Sequence, residues 1–194
     1  MTRKHTCAPG FFRCTLALAI TSIVIAAPYL HAQKSGPTEN EVKSAYLYNF
    51  GKFVEWPAKA ASVGEFFSIC VLGDNSFAST LETTIAGESI NGKKVLMKRV
   101  AKPQDSVGCR ILFISSSQQT RLKEILAELD NASVLTVSDI PEFTRRGGMI
   151  QFVVEANKVR FEVNLTSAER SGLTLSSQLL KVAINVKRST QSGG

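Results

Sequence analysis

The sequence predicts an α/β domain in which a mostly parallel sheet is flanked by helices on both faces, with a C-terminal antiparallel hairpin at one edge. Three observations predict this class. Short apolar runs alternate with segments of helical period over residues 40–140. Two strand-like runs then follow Gly147 and Gly148, separated by only two residues. The chain shows no internal repeat and no linker long enough to divide it.

Residues 1–32 have the pattern of a secretory signal peptide. Basic side chains precede an apolar run over residues 16–27, and small residues follow up to Ala32. An uncleaved anchor is the alternative, but about 12 apolar residues are fewer than the roughly 20 that span a membrane. We therefore expect cleavage after Ala32, a periplasmic protein without membrane insertion, and a single domain over residues 33–194.

Cleavage would change the chemistry available to the chain. Both histidines, His5 and His31, lie in the leader. Their loss excludes Ser-His-Asp and Cys-His catalysis and His-ligated zinc. The formal charge would fall from +7 to +4, because the leader holds three of the 23 basic residues and no acidic one. The remaining basic residues are dispersed, which argues against nucleic-acid binding.

The mature chain keeps two cysteines, Cys70 and Cys109, because Cys7 and Cys14 lie in the leader. Two cysteines in an exported protein predict a disulfide. Cys70 lies late in one predicted strand and Cys109 at the start of another, so a simple parallel register would hold them too far apart to bridge. Either the strands are staggered or Cys109 belongs to the preceding loop.

The first predicted element is an amphipathic helix that begins at a capping box, residues 38–41 (TENE), and ends near Pro57. At about 100° per residue, one arc of the helix is apolar and the opposite side is polar or small. The apolar arc contains Val42, Ala45, Tyr46, Leu47, Phe50, Phe53 and Val54. The opposite side contains Ser44, Tyr48, Gly51 and Glu55.

Three residues of this stretch depart from the pattern. Asn49 falls within the apolar arc and is expected to be a buried amide with satisfied hydrogen bonds. The pattern does not place Tyr48, on the polar side, or Trp56, beyond the helix end, in the hydrophobic core. We predict that Tyr48 and Trp56 contact a partner protein or a second copy of the chain.

The middle of the chain alternates between strands and helices. Buried strands are predicted over residues 66–72, 109–115 and 132–137, and a strand of alternating pattern over residues 94–100. Helices are predicted over residues 77–85 and 118–129. Strands that alternate with helices in this way are typical of a parallel sheet.

The C-terminal part has a different pattern. Residues 149–155 and 158–164 are predicted to form a hairpin across Ala156 and Asn157. A short helix should begin at Thr166, where the capping-box pattern recurs. A last helix is predicted over residues 176–187. It is apolar around most of its circumference, so it should be deeply buried or half of an interface.

Polar clusters follow the predicted strands: Gly73, Asp74 and Asn75; Ser115, Ser116 and Ser117; Ser138 and Asp139. Ligands of open α/β sheets bind at such strand ends. However, Asp, Asn and Ser are also the preferred helix caps, and we interpret the clusters as caps. The serines alone offer no positioned nucleophile, since no nucleophile elbow, phosphate-binding loop, dinucleotide fingerprint or metal-spacing cluster is present. We expect no catalytic residue, metal or cofactor.

Arginines surround the predicted hairpin. Arg160 and Arg170, with Arg145 and Arg146 before the hairpin, would suit the rim of a site for an anionic ligand. A solvated face with local ion pairs is the alternative. A periplasmic small-ligand-binding sensor is therefore one function that the chain could have.

Six segments, in order along the mature chain, carry a resemblance to a known family. They are residues 40–57 (NEVKSAYLYNFGKFVEWP), 69–77 (ICVLGDNSF), 109–115 (CRILFIS), 134–139 (VLTVSD), 147–152 (GGMIQF) and 160–183 (RFEVNLTSAERSGLTLSSQLLKVA). Together they resemble the YfiR family of exported bacterial proteins.

The resemblance implies a non-enzymatic periplasmic protein that forms a homodimer. Such a protein binds the periplasmic portion of a YfiN-like inner-membrane diguanylate cyclase and represses it, lowering cyclic di-GMP and biofilm formation. By position, Cys70 and Cys109 would be the family's structural disulfide. The chain lacks the second cysteine pair of better-known members near Gly147 and Gly148, and this departure puts redox switching of repression in doubt.

Overall fold

The computed structural model of the protein describes residues 36–62, 64–73, 76–130 and 132–188. The predicted signal peptide with its cleavage site, both histidines, and Asp74 and Asn75 lie outside the described residues. The helices are α1 (Glu39–Phe53), α2 (Ala58–Ser62), α3 (Ser76–Thr84), α4 (Leu122–Glu128), α5 (Leu165–Arg170) and α6 (Ser177–Val182). The residues Pro103–Ser106 and Ser116–Arg121 form 3-10 turns.

The strands begin with β1 (Val54–Glu55), β2 (Phe67–Leu72), β3 (Ser89–Ile90), β4 (Lys93–Val100) and β5 (Ile111–Ile114). They continue with β6 (Leu135–Ser138), β7 (Ile150–Glu155), β8 (Lys158–Asn164), β9 (Thr174–Leu175) and β10 (Asn185–Lys187). β1 and β9 pair antiparallel as a separate small sheet.

The main sheet has the strand order β10-β8-β7-β6-β5-β2-β4-β3. Its central strands β7, β6, β5, β2 and β4 are parallel, so the predicted α/β class with a mostly parallel sheet is confirmed. β7 and β8 form the predicted antiparallel hairpin. The hairpin lies near one end of the sheet, with the short β10 outside it.

The sheet has a hydrophobic core on each face. On one face, β-strand side chains pack with α1, α3, α5 and α6 through residues such as Phe50, Leu81 and Leu179. On the other face, α4 packs with residues 140–143 through Leu122, Ile125 and other buried side chains. Helices therefore flank both faces, as predicted.

Helix α1 begins at the predicted capping box. The Glu41 N–H donates to Thr38 Oγ1 at 3.3 Å, and the Thr38 N–H donates to Glu41 Oε2 at 2.7 Å. The Thr38 hydroxyl also donates to Glu41 Oε2 at 2.9 Å, and the bonds from the Thr38 N–H and hydroxyl to this carboxylate hold the pKa of Glu41 below its usual value. The helix ends at Phe53, four residues before Pro57, because residues 54–55 pair with β9.

The predicted orientation of α1 is wrong by part of a turn. Ser44 and Gly51, expected on the outer side, are buried, whereas Ala45 and Asn49 are exposed. A Cβ atom on Gly51 would lie 2.5 Å from Ile90 Cδ1 and 2.9 Å from Phe67 Cζ. The helix backbone thus lies directly on these side chains. The small residues Ser44 and Gly51 therefore lie on the face of α1 that contacts the sheet. The sequence pattern placed them on the solvent side because it followed apolar side chains alone.

The predicted C-terminal helix is also partly wrong. α6 ends at Val182, and Asn185–Lys187 instead pairs as β10 with β8 in parallel register. The Ile184 N–H donates to the Phe161 carbonyl at 3.0 Å. The outer backbone groups of β8 thereby gain partners that a longer helix would have left unpaired.

Candidate functional site

A polar crevice lies at the carboxyl ends of the parallel strands. The chain passes from β2 to β4 on one side and then returns to β5 on the other, so the strand order reverses between β2 and β5. Ligands of open α/β sheets bind at such a reversal. The crevice has a volume of about 320 Å³. Its lining includes Asn40, Ser76, Ser115, Ser116, Ser117 and Asp139.

Two serines at these strand ends, Ser115 and Ser138, bond to the backbone of the segment that follows each strand. Ser115 Oγ accepts from the Ser117 N–H at 3.3 Å at the start of the 3-10 turn Ser116–Arg121. Ser138 Oγ donates to the Ile114 carbonyl at 2.6 Å and accepts from the Ile140 N–H at 3.0 Å. Ser115 caps a helical turn, as predicted for its cluster, whereas residues 141–147 form turns and no helix begins there, so the helix-cap interpretation is wrong for Ser138 and Asp139.

A buried ion pair closes the crevice on the α1 side. The Lys43 side chain is 6% exposed, and Lys43 Nζ lies 2.7 Å from Asp139 Oδ2 and 2.6 Å from Glu39 Oε1. Burial alone would lower the pKa of Lys43, but the hydrogen bonds and charges of Asp139 and Glu39 outweigh it, so the pKa is raised. The sequence did not indicate this pair, because a lysine on an amphipathic helix is normally exposed.

Asp139→Asn is expected to lower the free energy of unfolding at pH 7 by about 1–2 kcal/mol, because Lys43 loses its better-buried partner. Because the pKa of Lys43 is higher in the folded protein than in the unfolded chain, the ion pair stabilises the fold fully at any pH below the unfolded-state pKa. This stabilisation is lost as the pH rises through the higher, folded-state pKa. Urea unfolding between pH 7 and 11 should therefore show a smaller alkaline loss in Asp139→Asn than in the parent protein.

Asp130→Asn is the matched control, since Asp130 is exposed and makes no ion pair among the described residues. We expect it to unfold like the parent protein across this pH range. Equal alkaline losses in the parent and in Asp139→Asn would contradict the role assigned to the Lys43–Asp139 pair.

The two residues predicted to contact a partner already contact their own chain. Tyr48 Oη donates to the Glu88 carboxylate, and Lys52 Nζ lies 4.0 Å from the centroid of the Tyr48 ring. Trp56 Nε1 donates to the Arg110 carbonyl at 3.2 Å, and the Trp56 ring packs edge-to-face on Phe67. Both side chains are half-buried. Their role in binding a partner stays a prediction.

An exposed apolar surface lies elsewhere, between α1 and α6. We call it the α1–α6 groove; it has a volume of about 350 Å³. It is lined by Tyr46, Asn49, Phe50, Phe53, Phe161, Gln178, Leu179 and Val182. Phe53 is 36% exposed and Val182 60%, and Ile184 just after α6 is 40% exposed. The all-round apolar character of residues 176–187 was the sequence signal for this surface.

The two arginines predicted to bind an anion lie in different surroundings. Arg170 lines a cavity of about 300 Å³, which we call the α4–α5 cavity. Its lining includes Leu129, Asp130, Thr136, Met149, Ser167 and Arg170. Arg160 does not line this cavity; it lies on β8 opposite Val153 and is exposed. Their role as anion contacts stays a prediction.

The disulfide between Cys70 and Cys109 is present, with their Cα atoms 6.0 Å apart. Cys109 lies in the loop before β5, and Cys70 in β2 pairs with Leu112. Of the two arrangements that the sequence left open, placement of Cys109 in the loop is the correct one. Within the described part of the chain, no three His, Cys, Asp or Glu side chains converge as metal ligands. None of the helices described is long and apolar enough to span a membrane.

Comparison with known proteins agrees with this architecture. A crystallised conserved domain protein from Vibrio cholerae O1 biovar El Tor superposes with a TM-score of 0.55 at 12% identity, covering 77% of this chain and 60% of that protein. This likeness shows a shared fold, and the chain spans less than two thirds of the Vibrio protein. An ABC domain from Streptococcus pneumoniae, crystallised with L-Trp, has a TM-score of 0.47 at 12% identity, covering 62% of this chain and 55% of that one. That second value is too low to establish a common fold.

The family comparison is more specific. The sequence profile described as YfiR/HmsC-like matches residues 40–184, which run from the first turn of α1 to the residue before β10. The match includes both cysteines, the whole parallel core of the sheet and the hairpin. The chain therefore belongs to the YfiR/HmsC-like family.

Proposed function

We propose that the mature chain is an exported, non-enzymatic repressor of a YfiN-like inner-membrane diguanylate cyclase. It would bind the periplasmic portion of the cyclase and so lower cyclic di-GMP and biofilm formation. Membership of the YfiR/HmsC-like family over residues 40–184 is the observation that carries this proposal, since the family suggests a periplasmic regulator of such cyclases. We also propose cleavage after Ala32, one domain over residues 33–194, and a homodimer.

The α1–α6 groove is the surface that we propose for docking the cyclase. Exposed apolar side chains at the edge of a groove are typical of protein interaction sites. Gln178, Leu179 and Val182 form one wall, and the segment around them, residues 171–188, carries three basic and no acidic side chains. The complementary partner surface would be apolar with acidic residues around it. Tyr48, on another side of α1, and Trp56, just after β1, are retained as further proposed contacts.

Val182→Asp is expected to abolish repression without unfolding the protein, because Val182 is 60% exposed and a carboxylate would be placed in an apolar contact. The test is the cellular level of cyclic di-GMP in a strain that lacks the gene. We expect deletion to raise this level, the parent gene to restore it, and the Val182→Asp gene to leave it high. The melting temperature of purified Val182→Asp should match that of the parent.

Val107→Asp is the matched control, because Val107 is 88% exposed in the loop before β5, away from the groove. It should restore repression fully. Full restoration by Val182→Asp would exclude the groove as the docking surface. An unchanged cyclic di-GMP level after deletion would overturn the repressor proposal itself.

A second candidate function is that of a small-ligand-binding sensor. The observation that favours it is the α4–α5 cavity, which Arg170 lines together with Asp130, whose carboxylate makes no ion pair within residues 36–62, 64–73, 76–130 and 132–188. The two functions are compatible, because a bound ligand can tune a repressor.

A further inference from the structure

The α4–α5 cavity forms where two neighbouring strands separate. β6 and β7 pair only between Val137 and Ile150 and between Ser138 and Gln151. Toward the amino end of β6 the backbone pairing with β7 stops. There the Met149 N–H donates to the Thr136 hydroxyl at 3.2 Å instead of to a backbone carbonyl. The end of α4 and the last turn of α5 lie on either side of this opening.

One wall of the cavity is a polar face of α5. Ser167, Arg170 and Ser171 all line the cavity, and their spacing of three and four residues places them on one side of the helix. Ser167 is 5% exposed, and its hydroxyl oxygen has no hydrogen-bond partner among the described residues. That oxygen has almost no accessible surface, so the Ser167 hydroxyl lies behind the cavity wall and the exposed Arg170 is the polar group of α5 that a ligand can reach.

The opposite wall carries a charge of the other sign. Asp130 follows α4 and lines the same cavity as Arg170. In the described structure, neither side chain forms an ion pair, with the other or with a third residue. A purely anionic ligand at Arg170 would be repelled by Asp130, whereas a molecule with both charges would satisfy both walls.

The rest of the lining sets the size and polarity of the ligand. Leu126, Leu129 and Met149 supply aliphatic surface. The volume of about 300 Å³ is at the lower end of the range for ligand pockets, which favours a single small molecule over a peptide.

We propose that the α4–α5 cavity binds a small zwitterion, an α-amino acid with an aliphatic side chain. Its carboxylate would pair with the Arg170 guanidinium. Its ammonium group would pair with Asp130, and its side chain would lie against Leu129 and Met149. This site is separate from the α1–α6 groove, and its occupancy does not depend on the proposed repression.

L-leucine is the probe, titrated into the purified protein by calorimetry. We expect saturable 1:1 binding of L-leucine. The acid that lacks the amine (4-methylpentanoate) and the amine that lacks the acid (isopentylamine) should each bind at least tenfold more weakly, because each leaves one charged wall unpaired.

Arg170→Gln and Asp130→Asn are each expected to weaken L-leucine binding roughly tenfold or more, since each removes a charge-assisted hydrogen bond. Both residues are exposed, so the variants should fold like the parent. Arg160→Gln is the matched control and should bind like the parent. Ser167→Ala should bind like the parent and leave the melting temperature unchanged or raised, because it removes a hydroxyl that is buried, has no partner among the described residues and is out of reach of the ligand.

The proposal is overturned if L-leucine shows no binding at millimolar concentration, if the two analogues bind as tightly, or if Arg170→Gln and Asp130→Asn leave the affinity unchanged. The calorimetric result is independent of cyclic di-GMP. Failure here with intact repression therefore rejects the ligand site alone, and binding without repression rejects the repressor role alone.

Discussion

Replacement of Phe50 by alanine is expected to lower the free energy of unfolding by about 3–5 kcal/mol. Phe50 is 2% exposed and lies in the middle of an aromatic cluster between α1 and the hairpin. Its ring centroid is 5.1 Å from that of Phe161 and 5.9 Å from those of Phe152 and Tyr46. The three rings belong to separate elements held by sheet and helix hydrogen bonds, so they cannot close the cavity left by the deletion.

Phe53→Ala is the matched control, three residues further along the same helix. Phe53 is 36% exposed, so the same truncation should cost less than about 1 kcal/mol. Urea unfolding followed by circular dichroism measures both values, and an unchanged denaturant slope would show that only stability differs. Similar losses for the two variants would contradict the orientation of α1 on the sheet. Both side chains line the α1–α6 groove, but only Phe53 is exposed enough to contact a partner, so Phe53→Ala should weaken repression directly while Phe50→Ala acts through folding.

Features of the fold that depend on local chemistry could be predicted from the sequence. Thr38 and Glu41 cap α1 because the capping box needs only four adjacent residues. The hairpin turn at Ala156 and Asn157 has φ values of 47° and 58°, as expected for a two-residue connection between twisted strands. The buried strands could be recognised because short apolar runs bounded by turn residues are typical of buried strands.

Features that depend on long-range contacts could not be predicted in this way. The orientation of α1 follows from the close approach of Gly51 to Ile90 and Phe67, and Ile90 lies 39 positions away in the chain. β10 exists because β8 offers an unpaired edge, which the residues of β10 alone do not indicate. The Asn49 amide, predicted to be buried, is exposed because the orientation of α1 turns it away from the sheet.

The candidate sites show the same division. Arg170 could be singled out as a cation near the hairpin, but its place in the same cavity lining as Asp130 depends on where α4 ends against α5. Lys43 and Asp139 are 96 positions apart, and only the packing of α1 on the strand ends brings them together. Tyr48 and Trp56 were identified as residues that the helix pattern leaves unexplained, yet Glu88 and the Arg110 carbonyl provide them with partners from distant segments.

Removal of the disulfide is expected to lower the free energy of unfolding by about 3–4 kcal/mol. Cys70 and Cys109 are 39 positions apart, and in the chain-entropy account a loop of this length restricts the unfolded chain by about that amount. The double variant Cys70→Ala/Cys109→Ala should unfold at a lower urea concentration than the oxidised parent. Dithiothreitol should shift the parent toward the double variant and leave the double variant unchanged. Coincident unfolding of the oxidised and reduced parent would contradict the expected stabilisation.

The same variant separates stability from regulation. The disulfide is buried in the core on the α4 face of the sheet, whereas the α1–α6 groove lies on the opposite face. Loss of the bond should therefore reduce the amount of folded protein without changing the docking surface. We expect the double variant to repress fully at a temperature where it stays folded, and to lose repression in step with its unfolding curve. Loss of repression while the variant is fully folded would show instead that the redox state of this pair acts on the partner site directly.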